Sequence, residues 1–322
     1  MQDPQIGVLG AGAFGTALAI ALAQAGRRVT LWARDEAAVR AMAEARENVA
    51  RLPGAPFPES LTPTADMGQA AKAPVLLLAV PTQQLRGLAE AHASRLAGHS
   101  LVACCKGVEL GTGLLPTEVL GRVIPGARAA VLTGPSFAVD IARGKPTALT
   151  LATESHGPEL QELLATHNLR LYLTEDRIGA QLGGALKNVI AIAAGVVLGA
   201  GFGESARAAL MTRGFAEIGR LAQTRGGERE TLFGLSGFGD LVLTCSSEMS
   251  RNFSHGLAIG RGETPDPSRT VEGVMTAHAI AGQESPDTMP VTCMVSALLK
   301  GAVSLDEAKD LLLSRPVRHE RG

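Results

Sequence analysis

The first half of the chain alternates short, continuous apolar runs with longer segments in which apolar residues recur at helical spacing. Continuous apolar runs are typical of strands that are covered on both faces. Helices fit the intervening segments, at Ala13–Ala25, Glu36–Arg46 and Thr82–Arg95. This alternation predicts an α/β fold with a doubly wound parallel sheet. The seven predicted strands are Ile6–Leu9, Arg28–Trp32, Val75–Val80, Leu101–Cys104, Ala130–Thr133, Ala148–Ala152 and Leu169–Tyr172.

Beyond about Ile178 the strand-like runs stop and the remaining pattern is helical. We therefore predict a sheet domain at residues 1–179 and an all-helical domain at residues 180–322. The helices predicted in the second domain are Ala180–Leu198, Ser205–Arg225, Leu257–Ile259, Thr270–Ala281 and Val291–Leu313.

One charged side chain interrupts the most apolar of these helices. In GALKNVIAIAAG, residues 184–195, Lys187 is surrounded by apolar residues, glycines and one amide. Burial disfavours the charged form of an amine, so this lysine must reach solvent, find a partner or take part in chemistry.

Composition narrows the class of protein. The 322 residues are 46% hydrophobic with 38 glycines, which favours an α/β protein over a disordered one. A formal net charge of −1 gives no basic excess for nucleic acid or an anionic membrane. The N-terminus MQDPQIGVLG lacks a basic region followed by an apolar run and a cleavage site, so we expect no signal peptide. The longest apolar stretch, Val189–Phe202, is too short and too glycine-rich to span a bilayer, so we expect no membrane insertion. The four cysteines lack metal-ligand spacing, so we expect reduced thiols, no metal and a cytoplasmic protein.

A glycine-rich turn follows the first predicted strand. In IGVLGAGAFGTALA, the glycines are Gly10, Gly12 and Gly15, and a helix and a second strand follow. In a Rossmann-type unit these positions allow a tight turn, close approach of a pyrophosphate and packing of helix on strand. The pyrophosphate then lies at the helix N-terminus, where free N–H groups favour an anion. The sequence therefore predicts a dinucleotide cofactor, NAD or NADP.

The end of the second strand bears on the choice between these cofactors. A carboxylate there would bind a ribose 2′-hydroxyl, whereas an arginine would accommodate a 2′-phosphate. Arg34 lies nearer the expected position and Asp35 is adjacent. The pattern favours NADP and leaves NAD open.

Polar residues also follow two later strands, where ligands of open α/β sheets bind. Lys106 comes directly after the apolar strand in VACCKG, and Gly134 and Ser136 follow the strand in AVLTGPSFA. In the helical half, Asp240 lies between glycine-rich and apolar segments in LSGFGDLVLTC. Ser250, Arg251 and Asn252 form a group of donors suited to a phosphate.

Taken in order, GAGAFGTALA, CCKG, GPSFA, GALKNVIAIAAG, LSGFGDLVLTC, SRN and TVEGV resemble the bacterial type of NAD(P)-dependent glycerol-3-phosphate dehydrogenase. The resemblance extends from about residue 6 to residue 275. It implies interconversion of dihydroxyacetone phosphate, a phosphorylated triose, and sn-glycerol 3-phosphate for glycerophospholipid synthesis. It also implies a Rossmann domain followed by a helical domain, and analogy with such enzymes suggests a homodimer.

The resemblance further implies roles for individual residues. Lys187 would be the catalytic proton carrier. The substrate would contact Lys106, Gly134, Ser136, Lys187, Asp240, Ser250, Arg251 and Asn252. The cofactor would contact Gly10, Gly12, Ala13, Phe14, Gly15, Arg34, Lys106, Ala138, Arg251 and Glu272.

Three features depart from the family pattern. Phe14 replaces the usual tryptophan or tyrosine, and Cys105 replaces a threonine, which removes a hydroxyl beside Lys106. The segment RGETPDPSR before Glu272 is short, which leaves open how this glutamate approaches the cofactor.

Two other functions remain open at this point. A β-hydroxyacid dehydrogenase also has a lysine on the first helix after its sheet, but its asparagine four residues later corresponds to Ala191 here. A non-catalytic sensor of NAD(H) would share the fold without needing Lys106, Lys187, Asp240 and Arg251 together.

Overall fold

In a computed structural model, which describes residues 5–267 and 269–308, the sheet has eight strands in the order β3-β2-β1-β4-β5-β6-β7-β8. Four central strands are buried along their whole length, as their uninterrupted apolar sequences predict. The strands are β1 (Ile6–Leu9), β2 (Val29–Trp32), β3 (Leu61–Thr64), β4 (Val75–Leu78), β5 (Ser100–Ala103), β6 (Arg128–Thr133), β7 (Thr147–Ala152) and β8 (Leu169–Thr174).

The strand β3 is absent from the sequence prediction. Its sequence, LTPT, is short and contains Pro63, which cannot donate to a ladder of strands. The structure places β3 at the edge of the sheet, paired only with β2, where a proline is tolerated.

The sheet is parallel from β3 to β6, but β7 runs antiparallel to β6. The predicted doubly wound parallel sheet is confirmed, with this one antiparallel pair as the exception. The connecting helix has five residues and is about 7.5 Å long at the α-helical rise, too short to return the chain along a six-residue strand. β7 and β8 are again parallel.

Seven helices connect the strands, and three of them were predicted. The other four have four to eight residues, too few for a clear 3.6-residue period. The helices are α1 (Ala13–Gln24), α2 (Glu36–Ala45), α3 (Met67–Ala70), α4 (Thr82–Leu96), α5 (Pro116–Val123), α6 (Ala138–Ala142) and α7 (Gly157–Leu164).

After β8 the described chain is helical. The helix α8 begins at Arg177. The domain boundary predicted between residues 179 and 180 falls in the first turn of this helix and stays a prediction. Ser236 and Gly237 are buried in a π-helix that the sequence pattern does not reveal. The remaining elements are α8 (Arg177–Gly199), α9 (Gly203–Thr224), α10 (Arg229–Phe233), the π-helix (Leu235–Gly239), α11 (Asp240–Cys245), α12 (Arg251–Gly260), α13 (Glu272–Ala281) and α14 (Pro290–Leu299).

The last predicted helix, Val291–Leu313, is wrong in its extent. α14 ends at Leu299, and Gly301 follows with a φ of +68°, a left-handed conformation that ends a helix. Residues 305–308 are helical again, and residues 309–313 lie outside the described part of the chain.

α8 is the core of the helical half. Eighteen of its 23 residues are buried, and the other helices pack around it. Among the described helices it alone has the length and apolar composition to cross a membrane, but 89% of that apolar window is buried inside the protein.

Glycines bring α8 and α12 into backbone contact. A Cβ on Gly256 would lie 2.0 Å from the Ile192 carbonyl oxygen, and a Cβ on Gly260 would lie 2.3 Å from that of Val196. Gly195 on α8 is equally confined, with the Phe253 carbonyl oxygen 2.2 Å from the position of its missing Cβ. These glycines let the backbones of the two helices approach closely, as small residues do at other helix–helix interfaces.

We predict that Gly256→Ala lowers the free energy of unfolding by about 1–3 kcal/mol, because the added methyl group must push the two helices apart. Chemical denaturation measures this change. The matched control is Gly87→Ala on the exposed face of α4, where a Cβ meets nothing within 4 Å. That substitution should leave stability unchanged or raise it slightly. Equal stability of Gly256→Ala and the unsubstituted protein would show that the helix contact is looser than described.

Candidate active site

The glycine-rich turn joins β1 to α1. Gly10 has a φ of +116°, and a Cβ on it would lie 2.7 Å from the Ala79 carbonyl oxygen. A Cβ on Gly15 would lie 2.1 Å from the Gly10 carbonyl oxygen. The turn and the packing of helix on strand thus have the geometry that the sequence predicts for these two glycines.

Gly12 differs from the other two glycines, because it has ordinary backbone angles and a Cβ on it would meet nothing within 4 Å. Nothing in the described protein therefore requires glycine there. No side chain of the described residues caps α1, and none of them accepts the first N–H groups of the helix. An exposed, uncapped helix N-terminus beside a glycine fits the pyrophosphate of a dinucleotide.

Arg34 and Asp35 follow β2. Asp35 caps α2, with one carboxylate oxygen accepting the Ala37 and Ala38 N–H groups. Arg34 is exposed. The carboxylate is therefore already in use as a helix cap, whereas the guanidinium faces solvent.

Lys106 extends from the loop after β5 to two oxygens on other elements. Its Nζ donates to the Gly134 carbonyl at 2.8 Å and to Asp240 Oδ2 at 2.7 Å. The same Nζ lies 5.7 Å from the centre of the Phe14 ring on α1. Lys106 thereby joins the glycine-rich turn to the helical half.

Lys187, on α8, does not point into bulk water. Its side chain is 8% exposed, and its Nζ lies 2.9 Å from Asp240 Oδ1 and 2.6 Å from Thr244 Oγ1. Thr244 in turn donates to Asp240 Oδ1 at 3.2 Å. Asp240, 1% exposed, thus bridges Lys187 and Lys106 through its two oxygens.

The π-helix and α11 bring Asp240 to this position. Asp240 is the first residue of α11, directly after the π-helix. A Cβ on Gly183 of α8 would lie 2.8 Å from the Ser236 carbonyl oxygen, so the π-helix backbone lies directly against α8. This close approach lets Asp240 reach the side chain of Lys187 one turn further along α8.

Burial and charge set the protonation of this cluster. Burial, which is the largest effect, and repulsion from Lys106 lower the pKa of Lys187 to about 8, although the attraction of Asp240 opposes them. Burial also opposes ionisation of Asp240, but the two lysines outweigh it and hold the pKa of its carboxyl below the usual value. The cluster therefore combines an ionised carboxylate with an amine that titrates near neutral pH.

Ser250 and Arg251 begin α12. Ser250 Oγ accepts the Phe253 N–H as an N-cap, and its hydroxyl proton can still be donated to a ligand. Arg251, the first residue of the helix, is exposed. Ser136 Oγ lies after β6 and donates to the Gly134 carbonyl at 3.1 Å.

Both polar atoms of Asn252 are committed to other residues of the protein. Its amide donates to Asn188 Oδ1 at 2.9 Å, and its Oδ1 accepts the Gly273 N–H at 3.0 Å. Asn188 donates in turn to the Lys106 carbonyl at 3.2 Å. A chain of amides thus links Lys106, α8, α12 and α13.

Asn188 and Thr244 are the residues that sequence reasoning missed. Each had a weak local signal, because Asn188 follows Lys187 and Thr244 lies one helical turn after Asp240. Neither signal identifies the distant partners, which are Lys106 for Asn188 and Lys187 for Thr244.

Glu272, at the start of α13, lies against the turn between β4 and α4. Its carboxylate accepts the Thr82 N–H at 3.2 Å and the Thr82 hydroxyl at 2.9 Å. Burial raises the pKa of Glu272, and the bonds from Thr82 oppose that rise. Ala138, at the start of α6, packs on the sheet domain, where α6 contacts α1.

The described residues contain no group of three or more His, Cys, Asp and Glu side chains that could hold a metal ion. The cysteine beside Lys106 is no substitute nucleophile, since burial raises the pKa of Cys105 to about 12.

Comparisons with known proteins cover almost the whole chain and point to one family. Residues 5–157 match a family model described as NAD-dependent glycerol-3-phosphate dehydrogenase N-terminus, and residues 176–310 match that of the C-terminus. A Ruegeria protein named glycerol-3-phosphate dehydrogenase [NAD(P)+] is 56% identical over 319 residues, covering 98% of this chain and 99% of its own length. A Cereibacter sphaeroides protein of the same name is 57% identical over 320 residues, with 98% and 100% covered.

The fold also matches a solved structure. The crystal structure of glycerol-3-phosphate dehydrogenase (gpsA) from Coxiella burnetii is 34% identical and superposes with a TM-score of 0.92. The match covers 97% of this chain and 99% of that one. The chain belongs to the NAD-dependent glycerol-3-phosphate dehydrogenase family.

Proposed function

We propose that this protein interconverts dihydroxyacetone phosphate and sn-glycerol 3-phosphate with NADP(H) or NAD(H), and so supplies glycerol 3-phosphate for glycerophospholipid synthesis. Family membership and the names of its relatives support this function. The observation that carries it is the bridging of Lys187 and Lys106 by Asp240, beyond the carboxyl ends of the sheet strands.

The nicotinamide, when bound, supplies or accepts the hydride. We assign the pyrophosphate to the open N-terminus of α1 at Gly12, with Lys106 between the cofactor and the substrate. The cofactor residues in this proposal are Gly10, Gly12, Ala13, Phe14, Gly15, Arg34, Lys106, Ala138, Arg251 and Glu272.

Lys187 is the proposed proton carrier. Reduction of the ketone leaves negative charge on its oxygen, and an ammonium within hydrogen-bond reach can neutralise that charge. With a pKa of about 8, Lys187 is protonated for ketone reduction below that pH and neutral for alcohol oxidation above it. Asp240 and Thr244 hold its Nζ in place.

The substrate phosphate is assigned to the start of α12. Arg251 offers a fork of donors, and Ser250 offers a hydroxyl proton. Ser136 can donate to the phosphate only by exchanging its bond to the Gly134 carbonyl. Gly134 acts through its carbonyl, which orients Lys106. Asn252 is already bonded on both polar atoms, so we propose that it contacts substrate only through its remaining N–H.

The two other candidate functions are weaker. A β-hydroxyacid dehydrogenase needs an asparagine where this chain has Ala191, which is fully buried in the core. A non-catalytic sensor would have no use for an amine whose pKa is lowered beside a second lysine.

We also propose that the enzyme acts in the cytoplasm as a homodimer. Exposed Phe233 and Phe238, which both pack edge-on against Phe215 on the helical half, support self-association, because exposed apolar patches mark interfaces. Light scattering should give twice the mass of one chain, and the mass of a single chain would contradict the dimer.

The direct test of the function is oxidation of reduced nicotinamide on addition of dihydroxyacetone phosphate, run in parallel with NADPH and NADH. We predict turnover with both and a lower KM for NADPH. Arg34→Ala should raise the KM for NADPH about tenfold, because a charge-assisted bond to the 2′-phosphate is lost, and should leave the KM for NADH unchanged. No turnover with either cofactor would contradict the function, and an equal effect on both would remove the proposed role of Arg34.

We predict that Lys187→Ala lowers turnover by about 10²–10⁴-fold, the usual contribution of a positioned acid–base group. Steady-state kinetics and cofactor titration should show lost turnover with retained cofactor binding. The matched control is Lys300→Ala, which removes an exposed lysine at the end of α14 and should keep native turnover. Near-native activity of Lys187→Ala would refute the role given to this lysine.

A further inference from the structure

A buried asparagine outside the predicted site is bonded to the glycine-rich turn. Asn48 lies in the connection between α2 and β3 and is 4% exposed. Its Nδ2 donates to the Ala11 carbonyl at 2.9 Å and to Thr16 Oγ1 at 2.8 Å. One side-chain amide thus holds both the turn and the first turns of α1.

The hydrogen bond from Asn48 to the Ala11 carbonyl also sets the direction of the neighbouring Gly12 N–H group. Ala11 and Gly12 share a trans peptide, in which the C=O and the N–H point in opposite directions. Because the Ala11 C=O points to Asn48, the Gly12 N–H points away from it. No acceptor from the described residues meets that N–H, and a Cβ on Gly12 would meet only open space.

The backbone around Asn48 keeps the side chain in place. The Asn48 carbonyl accepts the N–H groups of Arg51 and Leu52, at 3.1 and 2.8 Å, which closes a turn. Leu52 is 2% exposed and is part of the sheet-domain core. The asparagine is therefore anchored through its own backbone to the core, and its side chain is free to act on the glycine-rich turn.

We propose that Asn48 is a positioning residue for the pyrophosphate of the dinucleotide. By holding the Ala11 carbonyl, it aims the Gly12 N–H at the phosphate oxygens at the start of α1. Without it, the peptide between Ala11 and Gly12 can rotate, and the donor loses its direction. This inference rests on the proposed function only in taking a dinucleotide as the ligand.

The test compares two probes by isothermal titration calorimetry. 2′-Phospho-ADP-ribose contains the pyrophosphate but no nicotinamide, whereas adenosine 2′-phosphate lacks the pyrophosphate. Asn48→Leu replaces the amide by an apolar group of similar size, and Asn48→Ser is a second variant, too short to reach Ala11. The matched control is Thr16→Val, which removes the other acceptor of the same amide and leaves the bond to Ala11 in place.

We expect both Asn48 variants to raise the Kd of 2′-phospho-ADP-ribose about tenfold, the loss of one bond to a charged group, and to change that of adenosine 2′-phosphate less than twofold. Thr16→Val should affect neither Kd. If Asn48→Leu does not fold, Asn48→Ser decides the question. Unchanged binding of the pyrophosphate probe, or equal weakening of both probes, would overturn the proposal.

The result of this titration does not depend on the proposed reaction, because it measures equilibrium binding in the absence of substrate. A protein that binds the dinucleotide probe but does not reduce dihydroxyacetone phosphate would refute the proposed function and leave the role of Asn48 standing. Failure of the unsubstituted protein to bind both 2′-phospho-ADP-ribose and ADP-ribose, the corresponding probe for NAD, would refute both.

Discussion

The active site depends on one carboxylate that is shared by two amines. Asp240 is buried at the start of α11, and its two oxygens bind Lys187 from α8 and Lys106 from the sheet domain. Without that carboxylate, two lysines could not be held together in a buried site. With it, the ammonium of Lys187 is held in position, and burial and the second lysine still make its proton easy to release.

The packing of the helical half places the Asp240 carboxylate in the site. Glycines on α8 allow the π-helix and α12 to lie against its backbone, and Asp240, directly after the π-helix, reaches both lysines. The amides of Asn188 and Asn252 then tie α12 and α13 to the backbone of Lys106. The site is therefore assembled from both halves of the chain, and small residues at helix contacts are part of its construction.

The sequence allowed much of this fold to be predicted, and the failures have physical causes. Buried parallel strands are recognisable from their own apolar runs, whereas β3 has a proline and the π-helix LSGFG has no apolar period. Lys187 could be identified as unusual from its apolar neighbours alone. Thr244 and Asn48 could not, because their importance lies in contacts with residues far away in the chain.

The central claim is that burial and Lys106 together give Lys187 a pKa of about 8. The most direct measurement is an NMR titration of the ε-methylene group of Lys187, assigned by comparison with Lys187→Arg, in the unsubstituted protein and in Lys106→Met. The account predicts a midpoint near pH 8 that moves upward in Lys106→Met, because the repelling charge is gone. A midpoint at the ordinary lysine value of about 10.4, unchanged by Lys106→Met, would contradict it.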